Sequence, residues 1–126
     1  MAFPNVVFSD VAWKSINSLQ GARQDNVVPL SQHLGVLNDE ASSIWSSNTN
    51  TADRQQLLAS RGVTASPESP RTHKTSKAML KRKFKFDGQA VLCEWHTKLR
   101  PDINRVYFAV DGPQVLVGSI IDRLPT

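Results

Sequence analysis

Hydrophobic positions follow a helical period in the first half of the chain and a period of two in the second. Ser9 or Asp10 can cap a short helix running to about Leu19, with Trp13, Ile16 and Leu19 on one face and Gly21 as its stop. A longer helix is predicted from about Asp25 to Ser46, because Leu30, Leu34, Leu37, Ala41, Ile44 and Trp45 form one apolar stripe. Pro29 must then lie in its first turn, or the helix begins later. Gly35 weakens its interior by about 1 kcal/mol relative to alanine. The polar run 46–51 reads as a loop, and Thr51 can cap a third helix, Ala52–Ser60, closed by Gly62. The stretch 65–77, with two prolines and many hydroxyls, reads as a linker or mobile loop.

Four strands are predicted beyond it: roughly Lys81–Phe86, Ala90–Leu99, Asn104–Val110 and Gln114–Ile121. Their connections are short, with Asp87-Gly88, Pro101-Asp102 and Asp111-Gly112-Pro113 as turn signals, so an antiparallel meander is expected. The fold class is α+β, with N-terminal helices packed on one face of a small C-terminal antiparallel four-stranded sheet. One domain, 1–126, is expected, with a helical part (1–62), a basic loop (63–80) and the sheet (81–126).

Alternation divides the strand residues into two sets. Phe84, Phe86, Val91, Trp95, Val106 and Phe108 form an apolar face for the helices to cover. Lys83, Lys85, Glu94, His96, Lys98, Arg105 and Tyr107 collect on the other. The apolar run VLVGSII suits a central or well-covered strand.

Charge sharpens that division. The net charge is +4 over 126 residues, but residues 1–62 carry a balance of −1 and residues 63–126 one of +5. Between Arg71 and Lys85 there are seven Lys or Arg and no acid, which suits a nucleic-acid or other anionic partner. The lone Cys93 excludes an intramolecular disulfide framework, no apolar run is long enough to span a membrane, and MAFPNVVFSD lacks the features of a signal peptide. A soluble cytoplasmic protein is expected, monomeric in isolation, with no membrane partner and no cofactor.

On the polar face, Arg105 suits bidentate phosphate binding and the lysines act as point charges. Tyr107 can stack on a base, His96 can move a proton near neutral pH, and Glu94 can orient His96 or act as a base. An ordinary charged solvent face is the plainer alternative; against it, the residue types are those of phosphate chemistry, and Leu92 and Tyr107 make the face less polar than solvent needs. Cys93 and His96 point to opposite faces of a strand and make a poor metal pair, and Cys93 is expected to be buried beside Trp95. His33 is expected on a helix surface and His73 in the basic loop.

The run KFKFDGQAVLCEWHTKLRPDINRVYFAVDGPQVLVGSIIDRLPT resembles the C-terminal sheet of RelE/HigB-type toxins of bacterial toxin–antitoxin systems. The likeness lies in a basic strand, the EWHTK strand, the RVYF strand and an apolar strand before a basic tail, and it covers about 45 residues. It implies short helices on one face of a small sheet, an RNA site on the other, and an antitoxin that wraps around the protein. Many such proteins are endoribonucleases acting on ribosome-bound mRNA; ParE-type relatives poison DNA gyrase. Carried to this sequence, the resemblance implies that Lys83, Lys85, Lys98 and Arg105 bind phosphates and stabilise transition-state charge, Lys98 and Arg105 as catalytic residues, with Lys81 in the same basic strand. It also implies acid/base chemistry at His96, stacking at Tyr107 and a further phosphate contact at Arg123. The reaction would be metal-independent attack of a ribose 2′-OH on its own 3′ phosphate. The sixty or so residues of helix and loop before the sheet depart from the compact family order.

Three functions remain open at this point: a toxin-like endoribonuclease, a non-catalytic basic module gripping nucleic acid or an acidic protein, and a helical interaction protein whose sheet is scaffold.

Overall fold

A computed structural model describes residues 3–100 and 103–125. Its largest unit is a five-stranded mixed sheet, and the chain first enters it through a short edge strand, β1 (Val6–Phe8), parallel to the last strand. Helix α1 (Ala12–Ser15) follows and tightens into a 3-10 turn, Ile16–Ser18. Trp13 stays half exposed at 54%, stacked on Phe8 at 4.6 Å, while Ile16 and Leu19 pack inward.

The predicted long helix is present as α2 (Arg23–Val36), a wide π-turn (Leu37–Ala41) and α3 (Ser42–Ser47) in continuous helical backbone. Its stripe of Leu30, Leu34, Leu37, Ala41 and Ile44 is buried in the main core. Two expectations need correcting. Pro29 lies in the second turn, because the helix starts at Arg23. His33 is buried, not on the surface, and its Nδ1 lies 2.9 Å from Thr97 Oγ1 on the sheet. Helix α4 (Thr51–Ser60) is capped by Asn50 rather than Thr51, with the Asn50 side chain accepting from the N–H groups of Ala52 and Asp53.

The stretch expected to be a mobile loop is instead structured. It forms edge strand β2 (Ala65–Pro67) and two short helices, α5 (Pro70–His73) and α6 (Ser76–Leu80). Ser69 caps α5 with Pro70 at its first position, a local signal that the hydroxyl-rich composition had masked.

The remaining strands are β3 (Lys83–Phe86), β4 (Gln89–Leu92), β5 (Trp95–Arg100), β6 (Ile103–Asp111) and β7 (Gln114–Ile121). The order in the main sheet is β1-β7-β6-β5-β2, antiparallel except for β1. β3 and β4 form a separate hairpin, so the expected four-stranded sheet is corrected to five strands plus two. Asp87 and Gly88 both take positive φ at its turn, as the Asp-Gly signal requires. The strand expected at Ala90–Leu99 breaks at Cys93–Glu94, where the Cys93 N–H turns to the Arg82 carbonyl at 2.8 Å.

The sheet has two covered faces. On one, the helices bury Trp95, Leu99, Val106, Phe108, Val117 and Ile120, with Trp45 edge-on to Trp95 at 4.8 Å. On the other, the hairpin lays Phe84, Phe86 and Val91 against Tyr107 and Leu116. These hairpin residues were expected beneath the helices; they lie across the sheet from them. Cys93 belongs to this second cluster, away from Trp95.

Candidate functional site

The hairpin covers only the β1–β7 side of its face. Toward β5 and β2 a pocket of about 240 Å³ remains, walled by Ser66 and Pro67 of β2, the β2–α5 connection, and His96, Lys98, Arg105 and Tyr107 of the sheet. Strand register explains the grouping: His96 lies opposite Tyr107 and Lys98 opposite Arg105, while Ser66 pairs with His96 from the edge. Neighbours across antiparallel strands stand about 5 Å apart.

Glu68, Arg82 and His96 meet in its buried back wall. Glu68 Oε1 lies 3.1 Å from Arg82 Nε and 3.3 Å from His96 Nδ1. These atoms are close without aligned hydrogen bonds, so Glu68 and Arg82 form an ion pair by distance and the His96 ring lies against the same carboxylate oxygen. Arg82 is only 1% exposed, and its guanidinium also donates to the carbonyls of Ala78 (2.8 Å) and Pro125 (2.7 Å). Burial pushes the Glu68 carboxyl up, but the adjoining His96 ring and Arg82 guanidinium outweigh it and hold the group below its ordinary range. Glu68 therefore stands as a carboxylate behind His96. On the pocket side, His96 Nε2 lies 3.4 Å from Ser66 Oγ.

The structure brings together His96, Lys98, Arg105, Tyr107 and Arg123 of the residues expected from sequence. Their roles differ from the expectation in two places. Tyr107 is 1% exposed; its ring packs on His96 at 5.3 Å and beneath Arg82, and its hydroxyl accepts from Leu124 N–H, so no base can stack on it here. Burial also raises the pKa of its phenol. Arg105 is 6% exposed and donates to the Asp122 carbonyl at 2.7 Å, so it acts on the pocket mainly as buried positive charge. Lys98 and Arg123 are the more accessible cations.

The other expected residues lie elsewhere. Glu94 does not orient His96; it pairs with His73 at 3.1 Å. Lys81, at the end of α6, and Lys83 and Lys85, on the outer side of the hairpin, are exposed and line no part of this pocket. Cys93 is buried with its thiol pushed up to about 12 by desolvation, and no group of three metal-ligating side chains occurs among the described residues.

Sequence reasoning missed Glu68, Arg82, Ser66 and Thr72. Two signals were available. Arg82 shares parity with Phe84 and Phe86, which turns it inward, and Glu68 is the single carboxylate between Asp53 and Asp87.

Among the described residues, no helix is long and apolar enough to cross a membrane. Comparisons with family models, curated proteins and solved structures find no match for this chain.

Proposed function

We propose that this chain is a metal-independent endoribonuclease, and that the pocket over β5 and β6 takes the scissile phosphodiester of RNA. One observation carries the reading: an imidazole backed by a buried carboxylate opens onto a pocket edged by cations. The Glu68 carboxylate stands 3.3 Å behind His96 Nδ1, and Nε2, on the pocket side, is the atom that exchanges a proton with substrate. The ribose 2′-oxygen attacks the adjacent phosphorus, the bond to the 5′-oxygen breaks, and a 2′,3′-cyclic phosphate and a 5′-hydroxyl result. His96 takes the 2′-OH proton and passes it on to the leaving 5′-oxygen, so the ring ends the step as it began. Lys98 and Arg123 hold the phosphate, and buried Arg105 adds to the positive field as charge builds on the phosphoryl oxygens. The resemblance of the sheet sequence to RelE/HigB-type toxins points the same way, and mRNA on the ribosome and an antitoxin partner belong to the same proposal.

A second reading is favoured by the engagement of both His96 ring nitrogens, by Glu68 and Ser66. It is a non-catalytic module gripping nucleic acid or an acidic protein of the antitoxin or gyrase type. Induced expression in bacteria separates the two, comparing wild type with His96→Gln and Lys98→Ala by growth and by primer extension on total RNA. Growth arrest with new mRNA cuts, lost in both variants at equal protein level, is the expected outcome. Normal growth with intact RNA at good yield would leave the binding module.

A further inference from the structure

A second concavity, of about 750 Å³, lies on the far side of α5 from the pocket, lined by His73, Ser76, Lys77, Met79, Leu80 and Lys83. The two share their dividing wall. Helix α5 and its cap turn Ser69 and Thr72 toward the pocket and His73 toward the groove, and the consecutive residues Arg82 and Lys83 face the pocket and the groove respectively. The two concavities are therefore lined by neighbouring residues of the same segments.

The groove's chemistry differs from the pocket's. Its floor is aliphatic: Met79 is half-buried, and Leu80 is 64% exposed, the largest exposure among the bulky apolar side chains described. Its rim is cationic, through exposed Lys77 and Lys83, with Lys74 and Lys81 beside them in sequence. One carboxylate stands close by, Glu94, and the His73 ring covers it at 3.1 Å. Asp87 lies at the far turn of the hairpin.

Resting on the ribonuclease reading, we infer that this groove holds the nucleotides flanking the scissile phosphate, and that the substrate is single-stranded there. Lysines on a rim suit successive phosphates, and the aliphatic floor gives the sugars and base faces of a single strand an apolar surface to lie on. A duplex hides its base faces and leaves Leu80 and Met79 in contact with nothing. A purely acidic peptide would match the rim and waste the floor.

The test is fluorescence anisotropy with labelled 2′-O-methyl oligouridines, which bind without being cut, of about 4 and about 12 nucleotides, bracketing common single-strand site sizes. A self-complementary 2′-O-methyl duplex serves as the comparison. Wild type is expected to bind the longer strand more tightly than the short strand or the duplex. The double variant Lys77→Ala, Lys83→Ala should weaken the longer strand about tenfold at moderate salt. It should also reduce the slope of log affinity against log salt by about 1.4, the loss of two phosphate contacts. Leu80→Ser should weaken the same complex severalfold with little change in slope. All three residues are exposed, so unchanged thermal unfolding should accompany these losses. Unchanged affinity and slope in these variants, with His96→Gln still abolishing mRNA cleavage, would overturn the groove and leave the pocket reading standing. Equal affinity for duplex and single strand would overturn it too. No binding to any RNA would overturn both.

Discussion

Replacing Gly118 with alanine tests how the hairpin is mounted on the sheet. Gly118 lies in β7 beneath the ring of Phe84, and a methyl group built there would overlap Cδ2 of that ring and sit 2.8 Å from both Cγ and Cε2. Carbon atoms prefer about 3.5–4.0 Å, so the ring must retreat by roughly 1.5 Å or leave. Overpacking of this kind costs about 1–3 kcal/mol, partly offset by the 0.4–1 kcal/mol or so that alanine gains over glycine by restricting the unfolded chain. A net loss of about 1–2 kcal/mol lowers Tm by roughly 3–10 °C in a domain of this size. Thermal unfolding of Gly118→Ala, Phe84→Ala and the double variant forms the assay. With Phe84 removed the methyl has room, so the double variant should be no less stable than Phe84→Ala alone. The same penalty in both backgrounds, or a rise in Tm for Gly118→Ala, would refute the docking of Phe84 on Gly118. The hairpin begins immediately after Arg82, so loosening it should also blunt the activity of the pocket.

Three further outcomes are expected. Arg82→Met leaves the Glu68 carboxylate buried beside a neutral side chain and should cost about 3–5 kcal/mol by denaturant titration; a loss below about 1 kcal/mol would mean the pair contributes little. Glu68 has a depressed pKa when folded, so its stabilisation is complete above its ordinary 4.5 and is lost as pH falls through the folded value. Glu68→Gln should therefore flatten the acid limb of stability against pH, and an unchanged limb would place that titration elsewhere. Pro29→Ala restores an N–H in the second turn of α2, where proline is disfavoured by about 3 kcal/mol relative to alanine. After the loss of half-buried ring contacts a gain of about 1–2 kcal/mol should remain, visible as a higher Tm; a lower Tm would show that the ring's packing dominates.

The long helix was legible because its leucines repeat at a helical spacing that burial enforces, and the β6–β7 hairpin because turn chemistry and alternation agree. What sequence could not show was which side of the sheet a detached hairpin would take. Alternation assigns Phe84 and Phe86 to one face of their own strand and is silent on where that strand docks. Gly118, in an otherwise bulky apolar strand, was the available sign of a close approach from that side. β1 is three residues long and pairs in parallel with a strand more than a hundred residues away, a contact that no local signal encodes. β2 carries Pro67, which reads as a breaker and is tolerated because β2 is an edge. In the site, alternation correctly grouped His96, Lys98, Arg105 and Tyr107. It could not reveal Glu68, which reaches His96 from a segment that sequence composition describes as a loop.

The central claim is that His96, backed by Glu68, moves a proton during RNA cleavage in the pocket. It is tested most directly by incubating the purified protein with translating ribosomes and an end-labelled mRNA, in wild-type and His96→Gln forms, and resolving the ends of the products. Fragments with a 2′,3′-cyclic phosphate and a 5′-hydroxyl are expected from the wild type, none when the nucleotide 5′ of the cut is 2′-deoxy, and none with His96→Gln. Undiminished cutting by His96→Gln, or products ending in a 3′-hydroxyl and a 5′-phosphate, would contradict it.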